Sequence, residues 1–304
     1  MLLFILLATA LPIISAKLYS NFTSDSSDEV TLYFHSSGET RKMSESDYIL
    51  GISLAQIDKK YSENTLKAVA VAMRSVSYYL KGCCKELCYT DADYCDCKYS
   101  MPFMTKESFT ELYGNRGSEI IKAMQDAIEA TSGEFLQYKN SYALSLIHKS
   151  SYITTQSAFD AFGHEYPYLE AVITPEKAQT SEIMVIESEF KRKLKEYSEN
   201  IVITDTSIPP VLKFNRCGRV ESVNVFLTDI SASDFAEIFD IRSMIFEIEE
   251  IKNGYVIRSY GSGHGVGMSL AGAEKMSENG LNYREILLYY FRGCKIVSQS
   301  ENNQ

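Results

Sequence analysis

The sequence predicts an α+β protein with a helical part and a strand-rich part, on three observations. Residues 62–80 place Leu66, Val69, Ala70, Met73, Val76 and Leu80 on one helical face. Short β-prone runs bounded by turn residues occur far apart in the chain, at 30–35 (VTLYFH, followed by Ser36-Ser37-Gly38) and at 216–227. Near the C-terminus, residues 257–292 pass from an apolar β-prone run through a glycine-dense turn into two short helices. Those helices are predicted at 270–280 and 283–290, with Asn279-Gly280 and Gly293 as stop signals.

The remaining elements follow in order. Residues 45–57 form a helix with Ser44 or Ser46 as its cap, and the helix at 62–80 comes next. A cysteine-rich stretch at 83–97 separates it from a helical pattern over 103–130. A strand pair is expected within 133–147, a charged helix over 181–199 and a short helix over 235–241. No internal repeat is visible. Residues 17–29 read as a polar linker, 30–296 as one domain with an insertion at 83–97, and 297–304 as a polar tail.

Composition narrows the function classes. The chain has 304 residues, 45% hydrophobic and 23% charged, enough to bury a large core. A net charge of −10 argues against nucleic-acid binding through phosphate contacts and provides no basic patch for anionic lipid. Tyr is abundant, at 21 residues, and Trp is absent; side chains that are both aromatic and hydrogen-bonding suit sugar surfaces, although codon bias gives the same count. Residues 1–16 (MLLFILLATALPIISA) are too short for a comfortable membrane span of about 20 residues. They read as a secretory signal peptide cleaved near Ala16, or as a signal anchor, so the rest of the chain is expected outside the cytoplasm.

The glycine-dense turn, Gly261-Ser262-Gly263-His264-Gly265-Val266-Gly267, is the strongest site signal. Four glycines in seven residues let the backbone take positive φ and approach another surface closely, leaving His264 as the side chain able to face a ligand. Tight packing alone is the plainer reading of such a loop. Lys67 and Arg74, seven residues apart, share a face of the 62–80 helix, either as a solvated cationic edge or as an anion site.

Taken together, several segments resemble the SpoIID/LytB family of sporulation and amidase-enhancer proteins that act on peptidoglycan. Residues 259–290 are similar to its C-terminal signature, approximately G-x-G-x-G-H-G-V-G-M-S-Q-x-G-A followed by G-x-x-Y-x-E-I-L-x-x-Y-Y, with Leu270 where the family has Gln. Asp47-Tyr48-Ile49-Leu50-Gly51-Ile52 and the run from Leu66 to Arg74 resemble E-Y-L-x-G-V-x-x-x-E-M and L-K-A-Q-A-V-A-A-R. Pro167-Tyr168-Leu169, Gly218-Arg219-Val220 and Arg242-Ser243 with Phe246 match further family segments, whereas the glycines expected after His148-Lys149-Ser150-Ser151 are missing.

The resemblance implies a glycan cleft between the two parts and a lytic-transglycosylase type of chemistry. In that reaction a carboxylic acid protonates the leaving glycosidic oxygen, then as carboxylate removes the C6 hydroxyl proton, closing a 1,6-anhydro ring on N-acetylmuramic acid (MurNAc). One group gives and takes a proton, which needs a pKa lifted by a partly apolar site. The family's catalytic Glu falls on Gln56 here, and an amide can do neither task. Either this is a glycan-binding, scaffolding or amidase-enhancing member, or another carboxylate (Asp58, Glu63, Glu45) has taken over. The resemblance further implies substrate contacts from Lys67, Arg74, His148, Tyr260, His264, Gly265 and Ser269. Its partners would be glycan strands, an amidase that strips stem peptides first, and membrane proteins of an engulfment complex, with no nucleic acid.

Five of the seven cysteines lie in 83–97. Some family members carry zinc in this segment, and Cys84, Cys88, Cys95 and Cys97 would make a four-thiolate set for zinc. An oxidising compartment favours disulfides instead. Cys217 and Cys294 are expected to pair with each other or to remain reduced.

Overall fold

The computed structural model describes residues 29–83, 85, 91–97, 100–177, 179–199, 201–203 and 209–298. The predicted signal segment, most of the linker and the end of the tail lie outside the described residues, as do Cys84 and Cys88. Helices and sheets are both present in quantity, an α+β fold.

β1 (Glu29–Phe34) and β2 (Glu39–Ser44) form a hairpin, turning at Gly38 where φ is 71°. Ser44 then caps α1 (Glu45–Leu54) by accepting from the Asp47 amide. This helix ends three residues earlier than its sequence pattern suggests, because the Gln56 amide bonds back to Ser53 O, a tighter i→i−3 turn. α2 (Glu63–Leu80) follows, and its residues from Ala68 to Met73 are fully buried, which makes it the central helix. β3 (Tyr94–Cys95) returns parallel to β1. The helical pattern at 103–130 is two helices, α3 (Lys106–Tyr113) and α4 (Asn115–Ala130), broken at Gly114 where φ is 60°. β4 (Glu134–Tyr138) and β5 (Ser141–Tyr142) are the expected strand pair, and β6 (Ile147–His148) and α5 (Ala158–Phe162) follow.

The predicted charged helix at 181–199 is instead β7 (Thr180–Ile186) leading into α6 (Glu187–Tyr197). In the first part of it Ile183 and Val185 alternate with charged or exposed neighbours, a period of two that the acidic residues obscure. β8 (Val211–Phe214), β9 (Val220–Val225) and β10 (Thr228–Ser231) form a meander, capped by α7 (Ala232–Phe239). β11 (Phe246–Ile251) and β12 (Gly254–Tyr260) form a hairpin whose second strand also pairs with β7. β13 (Met268–Ser269) lies parallel to β6; α8 (Leu270–Glu278), α9 (Tyr283–Tyr290) and β14 (Lys295–Ser298) complete the chain. β14 pairs with β4, so Val297 and Ser298 are strand rather than tail.

Burial separates two hydrophobic cores. The first surrounds α2 and draws on residues 30–172 together with 266–294. The second lies within 185–257, where Phe190, Phe235, Phe239 and Phe246 stack between α6, α7 and the strands. The second core is thus an excursion from the first, and the chain returns from it through the glycine-dense turn. Among the described residues, no helix is long and apolar enough to cross a membrane.

Candidate functional site

The glycine-dense turn is fixed where the two cores meet. Gly261, Gly263, Gly265 and Gly267 have φ of 79°, 99°, 79° and 75°, a backbone that side-chain-bearing residues rarely adopt. Ser262 and Ser150 exchange two backbone hydrogen bonds, the Gly263 amide donates to Arg242 O, and the Gln156 amide donates to Gly265 O. A Cβ on Gly267 would lie 2.1 Å from Leu146 O, so this turn admits no side chain there.

Two histidines sit against it. His148, at the end of β6, is buried, with Nδ1 3.2 Å from Val266 O and Nε2 2.6 Å from Ser151 Oγ. His264 is partly buried, with Nε2 3.1 Å from Ile147 O and Nδ1 accepting from the Val266 amide. Their ring centroids are 5.7 Å apart. Burial, supplemented by each other's field and that of Arg219, pushes His148 well below the usual histidine range; burial chiefly, with Arg219, lowers His264 to about 4. Both are therefore neutral at pH 7. The acceptor role of His264 Nδ1 puts its proton on Nε2, aimed at Ile147 O, so this ring holds the loop in place.

A polar seam runs from this loop to Gln56. Gln56, 3% exposed, lies in the turn after α1. Asp58, two residues on, pairs with Lys149 at 2.9 Å and accepts from Tyr61 OH. Lys149 directly follows His148, and the next residues reach Glu176, a carboxylate that the sequence patterns did not single out. Glu176 accepts from the Ser151 amide (2.8 Å), from Ser269 Oγ (2.6 Å) and from Thr174 Oγ1. Ser269 is also the cap of α8, accepting from the Gly272 amide at 3.2 Å. Gly272 leaves room for this cluster, since a Cβ there would lie 2.1 Å from Tyr290 OH. Glu274 in turn accepts from the amide and hydroxyl of Ser62, tying α8 to the start of α2.

The structure thus brings His148, His264, Gly265 and Ser269 together, with Gln56 linked through Asp58 and Lys149. The other candidates lie elsewhere. Arg74 is buried and donates to the carbonyls of Ile128, Thr131 and Glu134, capping the end of α4. Three of the five N–H donors of that buried guanidinium thus go to backbone carbonyls, a structural job that the sequence did not announce beside the expected substrate contact. Lys67 pairs with Glu63 one turn away. Tyr260 donates to Glu247 and packs beside Tyr152 at the end of β12.

The proposed four-thiolate set is only partly visible. Cys95 and Cys97 have their Sγ atoms 2.7 Å apart, and His35 joins them, with the three ligand atoms all within 4.8 Å. The parallel pairing of β1 with β3 brings His35 there from sixty residues upstream, and spacing within 83–97 gave no hint of it. Cys217 is exposed and donates to Asp160 at 3.0 Å, whereas Cys294 is buried; they are separate thiols.

Comparison with known proteins gives the same family as the motifs. Residues 33–138 match the model of SpoIID, Stage II sporulation protein. Stage II sporulation protein D of Bacillus amyloliquefaciens is 23% identical over 281 residues, covering 88% of this chain and 78% of that protein. Its counterpart in Bacillus subtilis (strain 168) is 22% identical over 265 residues, covering 82% and 73%. An uncharacterized protein of Brachyspira hyodysenteriae is 26% identical over 268 residues, covering 85% and 68%. The matched segment and these relatives, together with the glycine-dense signature at 259–290, support a SpoIID-type family for this chain.

Proposed function

We propose that this protein acts outside the cytoplasm as a wall-remodelling member of the SpoIID family that binds peptidoglycan glycan strands, with the lytic-transglycosylase step suppressed. One observation carries the reading: Gln56, where the resemblance expects the proton-transferring carboxylate, is buried as an amide, and the carboxylates of the polar seam are engaged. Asp58 is held by Lys149 and Tyr61, and Glu176 by three donors. Loss of general acid–base help removes about 100- to 10,000-fold of rate, while hydrogen-bonding to sugar survives the change from carboxylate to amide. The reading implies an amidase as supplier of stem-peptide-free strands and membrane proteins of an engulfment complex as neighbours.

The full chain is expected to co-sediment with insoluble stem-peptide-free glycan and to leave no 1,6-anhydro-MurNAc ends detectable by mass spectrometry. Anhydro ends from the natural protein would sink the proposal, since another residue would then be supplying the proton. Absence of co-sedimentation would sink it equally.

Zinc belongs to the same proposal. Two thiolates and an imidazole within 4.8 Å fit three of the four positions of a tetrahedral site. His35, Cys95 and Cys97 would hold the ion, joining the end of β1 to the cysteine-rich segment as a structural clasp. Protein prepared without chelator is expected to contain about one zinc per chain, and EDTA to lower Tm by about 5 °C or more. His35→Ala should lower the zinc content and make Tm insensitive to EDTA. Metal-free protein with a Tm indifferent to added zinc would dispose of the clasp.

A further inference from the structure

Arg219 is the buried charge that neither the catalytic chemistry nor the fold has used. It stands at the start of β9's approach, in Gly218-Arg219-Val220, and is 4% exposed. Its backbone is fixed, with the amide donating to Asn215 Oδ1 and the carbonyl accepting from the Asn215 amide. Its guanidinium is not: among the described residues it makes no ion pair and no hydrogen bond. Burial lowers its pKa to about 10, so it remains charged at pH 7.

An unpaired buried cation is costly, and native structures normally pair or hydrogen-bond such groups. Here three neighbours could have been acids and are not. His148 and His264 both lie within its field and are neutral, and Cys217 is a thiol whose pKa is raised. The contact surface is the glycine-dense turn itself. A Cβ on Gly265 would stand 2.3 Å from Nη2, 2.7 Å from Cζ and 2.8 Å from Nη1. The missing side chain at Gly265 therefore serves the guanidinium as much as it serves the positive φ.

We propose that Arg219 is a preformed carboxylate receptor at the glycine-dense turn, and that its ligand is the free lactyl carboxylate of a MurNAc residue. This rests on the glycan reading above and adds the residue that distinguishes stripped from peptide-bearing strands. A guanidinium accepts a carboxylate through two parallel N–H donors, a charge-assisted geometry that an amide oxygen cannot match. A lactyl group still joined to its stem peptide is an amide, so the receptor favours strands from which an amidase has removed the peptide. The protein's net charge of −10 opposes anionic ligands in general, so preference for the anionic strand demands a local cation.

The test compares stem-peptide-free strands carrying free lactyl carboxylates with the same strands converted to methylamides, binding each to the full chain. The free form is expected to bind at least about tenfold more tightly, the size of one charge-assisted pair. Arg219→Met should reduce that margin to below about twofold, with Arg219→Lys between. The Arg219 Nε–Hε resonance of the natural protein, assigned by its loss in Arg219→Lys, should shift with free strands and not with methylamide strands. That readout stands even if Arg219→Met fails to fold. Equal binding of the two forms by the natural protein overturns this inference alone, as does a margin that survives Arg219→Met. Failure of both forms to bind overturns the glycan reading and the receptor with it.

Discussion

Replacing Gln56 by Glu is expected to raise the yield of 1,6-anhydro-MurNAc ends from stem-peptide-free strands about 100- to 10,000-fold over the natural protein. The two side chains are nearly isosteric, so the turn after α1 need not rearrange. The position is 3% exposed, and desolvation raises a carboxyl's pKa, the condition an acid needs to hold its proton until the leaving oxygen takes it. Burying a carboxyl where an amide sits costs stability of about 1–3 kcal/mol, small enough for activity to be read at 25 °C. Mass spectrometry of the digest is the measurement. A variant that binds strands and yields no anhydro ends would show that more than one atom separates this chain from a working glycan-cleaving member.

The second large effect is structural. Gly267→Ala is expected to destabilise the protein by about 2–5 kcal/mol, combining left-handed backbone strain with overpacking. At φ of 75° the new Cβ meets Leu146 O at 2.1 Å, and that oxygen already accepts from the Met268 amide beside the β6–β13 pairing. Thermal unfolding should show a Tm lower by about 5–15 °C. Gly280→Ala is the matched control. Its φ of 92° carries similar strain, but a Cβ there meets nothing within 4 Å, so only about 1–2 kcal/mol is expected. Equal losses at the two sites would mean that contact with β6 contributes nothing and that the turn is not wedged as described.

Much of this architecture was legible because it is written in local patterns. α9 runs over Tyr283–Tyr290 as its apolar spacing indicates, and Ser62 begins α2 as expected. The glycine-dense turn declared its own backbone. Legibility failed where a long-range partner decides. Arg74 shares a helix face with Lys67, but periodicity does not say what packs on that face, and here it is the carbonyl end of α4. β7 reads as helix because Glu182 and Glu187 suit a charged helix, and only pairing with β12 makes it strand. His35 and Glu176 gave no signal, because each meets its partners across tens of residues. Arg219 was visible as part of a motif, and its lack of a partner emerges only from the packing around it.

The pairing of β14 with β4 has a further consequence, for the order in which the molecule can be made. Leu136 faces Ile296 across that ladder, and the core around α2 is lined by residues from both sides of the excursion. A chain emerging from its N-terminus can close the core at 185–257 on its own, but the larger core stays open until the last forty residues arrive. Contacts of such separation form slowly, and the unfinished core leaves apolar surface exposed while they do. The glycine-dense turn is the first segment to return, so its surface and the larger core are completed in the same step. A nascent or truncated chain therefore cannot display the surface of this turn ahead of the fold that supports it.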